Sequence, residues 1–350
     1  MSNESTISND LSSPLNPELI NVEELKLGGK TFRENAGASI IDIGDRIGLI
    51  EFHTKANALN DDISEMIMVA CNEGSSRFDA LVVGNRGKHF SAGANLALVL
   101  AAARAGKWAD LEHTIRSLQN ANMTLKYGPL PVVAAPFSNA LGGGCEVCLH
   151  SAKVVAAEET HMGLVETGVG LIPAGGGTKE LGLRAQDLAV KKGLTEPLLT
   201  LTTVLENITH ARVSQSGLDA KQLFLKEADT VVNAQGPPIE IAKQVAIGLV
   251  HDQYRNGTAR SDIPLIGTKG ISAFQSKIDE IHQAKLISDH DAVIAVHVAT
   301  ILCGGNQPAG TATEQHFLDL EREAFLSLLG TEKTQERIEF LLTNNKLLRN

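Results

Sequence analysis

The chain has 350 residues, 43% hydrophobic and 21% charged, with 31 basic and 41 acidic side chains and a formal net charge of −10. Those proportions belong to a folded globular protein and exclude disorder as the main state. The acidic balance, with lysines and arginines scattered rather than striped, argues against nucleic acid as a partner, but leaves room for an anionic small molecule held by local lysines and backbone amides.

No apolar run reaches the ~18 residues of a spanning helix. The first thirty residues lack the basic start and apolar stretch of a signal peptide, so the expectation is a cytoplasmic chain without a membrane span. Four cysteines, Cys71, Cys145, Cys148 and Cys303, are too few for a disulfide scaffold.

Residues 1–38, rich in Ser, Asn and Glu, read as a polar tail or arm. Two β-like runs follow, at 39–43 and 46–52, separated by Gly44-Asp45 as in a hairpin. A helix is predicted over 60–73 and a buried strand over 80–83, then a glycine-punctuated loop to Gly93. Leu111, Ile115, Leu118 and Leu125 mark an amphipathic helix over 110–126. Apolar strands are predicted at 131–136 and 153–157, and strands alternating with helices give an α/β core over 39–235. Residues 236–350 read as a helical C-terminal region, with helices at 239–250, 292–303 and 314–329. Asp289 or Asp291 would cap the second of these, and Gly304-Gly305 would end it.

Chemistry concentrates in PVVAAPFSNALGGGCEVCLHSAKVV (131–155), a strand, a glycine turn and a helix. Such a turn brings unpaired helix N-terminal amides close to any ligand, or else serves only close packing. It is not a P-loop, because no Lys-Ser/Thr pair follows the last glycine. Glu146 falls in the first turn of that helix, where the dipole would hold its carboxylate ionised as a general base. Glu166, twenty residues on among apolar residues and glycines, would have its pKa raised by burial, which suits a general acid. Capping for the first and solvation for the second are the plainer alternatives. Cys145 and Cys148 form a lone CxxC on a helix and read as buried thiols, and the histidines show no HExxH pair, so no metal site is predicted.

KANALN (55–60), HFSAGANL (89–96), PVVAAPFSNALGGGCE (131–146) and GLVETGVGLIPAGGGT (163–178), in that order, resemble the crotonase, or enoyl-CoA hydratase/isomerase, superfamily. The GGGCE motif, the LxRN ending and the long helical C-terminus are similar to the C-terminal hydratase part of fused bacterial 3-hydroxyacyl-CoA dehydrogenase/enoyl-CoA hydratase proteins. The resemblance implies a crotonase-like (ClpP/crotonase) spiral of β-β-α turns. It places oxyanion-hole N–H groups on Ala94 and Gly143, catalytic roles on Glu146 and Glu166, and substrate or CoA contacts on Lys55, Ala58, Ala92, Asn95, Leu96 and Gly142. Arg86, Lys88 and Lys126 are further cations that could meet CoA phosphates.

Two departures stand out: Asn95 replaces the family's usual Asp, and Ser138-Asn139 its common Asn-Gly. The implied activity is reversible hydration of a trans-2-enoyl-CoA in fatty-acid β-oxidation, with the CoA thioester as substrate and no metal or redox cofactor. An isomerase using chiefly Glu166 and a weakly active acyl-CoA-binding subunit are the alternatives. A homotrimer or hexamer built through the C-terminal helices is implied, as is a possible separate dehydrogenase or thiolase partner. No GxGxxG turn is present, so a dehydrogenase module with its NAD site is expected to lie outside this chain.

Overall fold

The computed structural model describes residues 19–194, 196–233 and 236–350. In chain order the strands are β1 (Thr31–Glu34), β2 (Ala38–Asp42), β3 (Ile47–Phe52), β4 (Ala80–Gly84), β5 (Val132–Ala134), β6 (Asn139–Leu141), β7 (Lys153–Ala157), β8 (His161–Gly163), β9 (Thr230–Val232), β10 (Ile263–Leu265) and β11 (Gly310–Ala312). The helices are α1 (Val22–Leu27), α2 (Asp61–Asn72), α3 (Leu96–Arg104), α4 (Trp108–Tyr127), α5 (Gly143–His150), α6 (Gly177–Lys191), α7 (Leu198–Thr209) and α8 (Gly217–Leu223), then α9 (Ile239–His251), α10 (Gly267–Gln283), α11 (Asp289–Leu302), α12 (Glu314–Leu329) and α13 (Glu332–Asn344).

Among the described residues the main sheet runs β1-β2-β3-β4-β5-β7-β9. β1, β2 and β3 pair antiparallel, and from β3 onward the pairing is parallel. The parallel part is covered on both faces, which is why β4, ALVVG, is buried along its whole length. Alternate residues point to opposite faces. Leu81 and Val83 join α2, α4 and α5 on one side, while Ala80 and Val82 meet Ile239, Ala242, Ala246 and Leu249 of α9 on the other. β6 and β8 form a separate short parallel pair.

The predicted hairpin, the helices and the strand at 153–157 are present, and three expectations are corrected. The part of the N-terminal segment within the described residues is not a tail: α1 is capped by Asn21, whose side chain accepts from the Glu24 amide, and β1 adds a strand to the sheet edge through β2. β1 is a short edge strand, half-buried at Thr31 and Phe32 and exposed at Arg33 and Glu34; residues 1–18 of the predicted arm lie outside the described residues. The boundary at 235 is also misplaced, because α9 is the back layer of the core sheet. Finally, Ser288 rather than an aspartate caps α11: its Oγ accepts from the Asp291 amide while the Asp291 carboxylate returns to the Ser288 amide, a reciprocal box.

The C-terminal helices fold back over the core, with α12 against α4 and α6, and α13 against α3. Among the described residues no helix is long and apolar enough to cross a membrane.

Ile239 is wholly buried and packs over Gly84, where an added Cβ would lie 3.2 Å from its Cγ1. Ile239→Ala is expected to cost about 2–5 kcal/mol in urea unfolding, as a large-to-small change inside a core. A loss below about 1 kcal/mol would show that α9 is an appendage rather than a core layer.

Candidate active site

Two glycine turns meet beside the short β6–β8 pair. The Ser91 amide donates to the Asn139 carbonyl and the Leu141 amide to the Ser91 carbonyl, each at 3.0 Å, so residues 91–94 run beside β6 and the head of α5. Gly93 (φ 88) and Gly142 (φ 53) occupy the left-handed region. A Cβ on Gly93 would lie 3.1 Å from the Leu141 oxygen, and one on Gly142 3.6 Å from the Gly93 Cα. Glycine at both positions therefore lets the two backbones touch.

Ala94 follows the first turn and Gly143 the second, and both line one apolar cavity of 480 Å³. Gly143 is the first residue of α5, so its N–H has no carbonyl one turn back to receive it. Ala92, Leu96 and Gly142 line the same cavity.

The other expected contact residues lie elsewhere. Asn95 caps α3 by accepting from the Leu98 amide at 3.3 Å, so replacing Asp by Asn keeps the cap and loses only charge. Ala58 is not part of the cavity wall. Lys55 is exposed, in a short turn where Ala56 takes φ 55. Arg86 and Lys126 are engaged within the protein, Arg86 with Glu240 and Lys126 with Glu180 at 2.7 Å and Glu314 at 3.4 Å. At the second departure Ser138 keeps a left-handed φ of 48 without being glycine, its hydroxyl 2.9 Å from Nδ1 of His89.

Glu146 is 1% exposed, and the field that reaches its carboxylate is not that of its own helix. The Glu146 amide already donates to the Gly142 carbonyl, which puts the residue past the free donors of α5. Its carboxylate instead meets the N-terminus of α6, where Oε1 accepts from the Gly175 and Gly177 amides, each at 2.8 Å. The glycines are required sterically: a Cβ on Gly175 would fall 2.3 Å from Glu146 Oε2, and one on Gly177 2.9 Å from Oε1. Burial outweighs these bonds and pushes Glu146 up to about 7. The expected dipole-held, low-pKa carboxylate is thus corrected in both the helix involved and the direction of the shift.

Glu166 opens a 3₁₀ turn, Glu166–Val169. Its Oε2 is sealed from solvent and has no partner among the described residues. Burial, reinforced by the Glu146 charge, pushes it up to about 8, the direction anticipated. Both carboxylates line the cavity.

The remaining wall is largely apolar, with Asn60, Ser64 and Thr114 as its polar members, and its apolar part comes from distant segments: Leu111, Ile115 and Leu118 of α4, Phe325 of α12, Leu341 of α13, and Leu347. The C-terminal helices, expected to serve oligomerisation, build part of the site. The Gly175–Gly177 triplet lies inside the GLVETGVGLIPAGGGT motif with no role legible from sequence, and Glu321 of α12, which meets the same α6 terminus, lies in no motif. The thiols of Cys145 and Cys148 are buried in α5, and burial pushes both up.

Residues 42–187 match the family described as enoyl-CoA hydratase/isomerase. A Bacillus subtilis (strain 168) protein named as a probable 3-hydroxyacyl-CoA dehydrogenase is 39% identical over 337 residues, 96% of this chain and 42% of the relative. The chain spans about two fifths of the length of the curated relatives it matches over most of its own length. Among solved structures, an enoyl-CoA hydratase from Rhodobacter sphaeroides 2.4.1 aligns with a TM-score of 0.58 at 17% identity, over 90% of this chain and 92% of that one. An enoyl-CoA hydratase from Bacillus halodurans aligns at 0.57 and 15% identity, over 87% and 99%. Residues 42–187 are thus similar in sequence to the enoyl-CoA hydratase/isomerase family, and the chain has the fold of the solved enoyl-CoA hydratases.

The raised pKa of Glu166 has a sign that can be checked. The folded state retains the Glu166 proton up to about pH 8, whereas an unfolded glutamate releases it near ~4.3. Wild-type stability therefore falls relative to Glu166→Gln as pH rises through this window, and the gap levels off above it. Thermal unfolding of both proteins from pH 5 to 9 should show the variant gaining steadily; a pH-independent difference would mean that Glu166 is not a buried, proton-retaining acid.

Proposed function

We propose that this chain is a crotonase-superfamily enoyl-CoA hydratase, adding water reversibly across the C2=C3 bond of a trans-2-enoyl-CoA. The observation that carries this reading is that Glu146 and Glu166 line one apolar cavity together with Ala94 and Gly143. With the thioester oxygen set against the Ala94 and Gly143 amides, electron density leaving the double bond as water attacks is stabilised on that oxygen. Glu146, ionised, takes a proton from the attacking water as its oxygen bonds to C3. Glu166, protonated, delivers a proton to C2 as the enolate collapses back to the thioester. One water is consumed, and the two carboxyls exchange their protonation states, to be reset by solvent.

The order of proton affinities supports this division. Burial raises both, but the Gly175 and Gly177 amides draw Glu146 back toward its ionised form, whereas the Glu146 charge pushes Glu166 further up and its Oε2 has no donor among the described residues, so the first is the member that ionises and the second the member that keeps its proton. Pairs of carboxyls set apart by their surroundings in this way take acid and base roles. The apolar wall suits the hydrocarbon part of an acyl thioester, and a role in fatty-acid β-oxidation alongside a 3-hydroxyacyl-CoA dehydrogenase fits the kind of relative the chain matches.

Loss of the enoyl-thioester absorbance with crotonyl-CoA, followed by identification of 3-hydroxybutyryl-CoA, tests the activity. Saturable thioester binding without turnover would replace this reading by an isomerase acting on a 3-enoyl-CoA or by a binding subunit. Glu146→Gln and Glu166→Gln should each slow hydration by at least about 10² with thioester affinity retained; full activity in either removes the two-carboxylate mechanism. The pH profile of kcat/KM should be a narrow bell, rising as Glu146 ionises and falling as Glu166 deprotonates, its limbs belonging to the coupled pair.

A further inference from the structure

Glu146 is not the sole carboxylate on the α6 terminus. Glu321, on α12 and 0% exposed, places Oε2 2.7 Å from the Gly176 amide and Oε1 2.6 Å from the Lys179 amide. Four donors of one turn are thus divided between two acids: Gly175 and Gly177 to Glu146, Gly176 and Lys179 to Glu321. The carbonyls of the turn are held as well. The Asn122 side chain donates to Gly175 O at 2.8 Å, and Gln119 donates at 2.8 Å to both Ala174 O and Leu318 O, tying the turn to α12 one helical step before Glu321. Glu321 does not line the cavity, so it is placed to act on the turn and not on a substrate.

We propose that Glu321 is a positioning residue for Glu146: by gripping the Gly176 and Lys179 amides it fixes the glycine turn so that the Gly175 and Gly177 amides stay aimed at the Glu146 carboxylate. A flexible triplet of glycines has no preference of its own for this conformation, and Gly176 sits at φ 103. Burying a second acid beside the first is costly, and the two bonds it makes fall on the amides that alternate with those of Glu146.

Burial holds the proton affinity of Glu321 well above the usual carboxylate range; the Glu146 charge adds to this, and the Lys179 and Gly176 amides and the Lys179 charge oppose it. The Lys179 ammonium is itself paired with Glu314 at 2.8 Å. His150 of α5, whose Nδ1–H donates to the Glu146 carbonyl, is held neutral, its pKa pushed down to about 3 chiefly by burial. Arg322, next on α12, turns to Gln119 and Asp319.

Amide donors favour the ionised carboxylate, so losing their aim raises its proton affinity. A structural filler would change stability and leave the Glu146 titration alone, and a mere like-charge neighbour would move it the other way. The test is an infrared titration of the Glu146 carboxyl, assigned by its loss in Glu146→Gln, in the ligand-free wild-type, Glu321→Ala and Glu321→Gln proteins. The midpoint should rise by about one pH unit in Glu321→Ala and by about half that in Glu321→Gln, which keeps one acceptor oxygen. An unchanged or lowered midpoint in either folded variant overturns the proposal, and Glu321→Gln decides it should Glu321→Ala fail to fold.

The kinetic consequence rests on the hydratase reading: the acid limb of kcat/KM should move up with the midpoint, with KM within about twofold because Glu321 lies off the cavity wall. Absence of hydration in wild type would end that reading and leave the titration result standing.

Discussion

A single helix terminus, that of α6, carries the arrangement on which the site depends. A carboxylate in an apolar cavity needs donors that do not themselves fill space, and backbone amides flanked by glycines supply them. The requirement is steric as much as electrostatic, since Cβ atoms at Gly175 or Gly177 would occupy the position of the Glu146 carboxylate itself. From it follows the spacing of the surrounding parts. α5 must bring Glu146 within reach, α4 must hold the carbonyls of the turn through Gln119 and Asn122, and α12 must close the far side.

The parallel sheet provides the rigidity. β4, β5 and β7 lie between a front layer that includes α2, α4 and α5 and a back layer made by α9, so the sheet from which the glycine turns extend is held from both faces. Because Ser91 pairs with Ala140, a displacement of either turn would be felt by the other. Ala94 and Gly143 are therefore held against the cavity by backbone pairing rather than by interlocking side chains.

How much of this was legible varied with the length scale of the signal. Alternating apolar runs and amphipathic periodicity reported α4, α9, α12 and the strands at 80–83 and 153–157, because local burial leaves a local pattern. Glu146 and Glu166 were readable from their glycine-rich surroundings and from motif resemblance. What α9 covers was not readable, since an apolar stripe says that a helix is buried and not which layer buries it. The destination of the Glu146 carboxylate was hidden for a related reason: its donors lie 29 and 31 residues away. Glu321 did leave a trace, as an acid on the same stripe as Phe317, Leu318 and Leu328 of α12, where a charge has no reason to be unless something inside receives it. The short strands β6 and β8, three residues each, are below the length at which a pattern forms.

The cavity wall draws on residues from Leu59 to Leu347, and this has a bearing on how the protein is made. During synthesis the sheet and its two covering layers are complete once β9 and α9 have left the ribosome. The cavity, however, lacks one side until α12, α13 and Leu347 have emerged. A nascent chain therefore passes through a stage in which an apolar trough with two buried-type acids stands open to water, the kind of partly built surface that chaperones recognise and that aggregates when synthesis stalls. Truncation near the C-terminus would accordingly be felt first in the site, and in the yield of folded protein, before the sheet itself is lost.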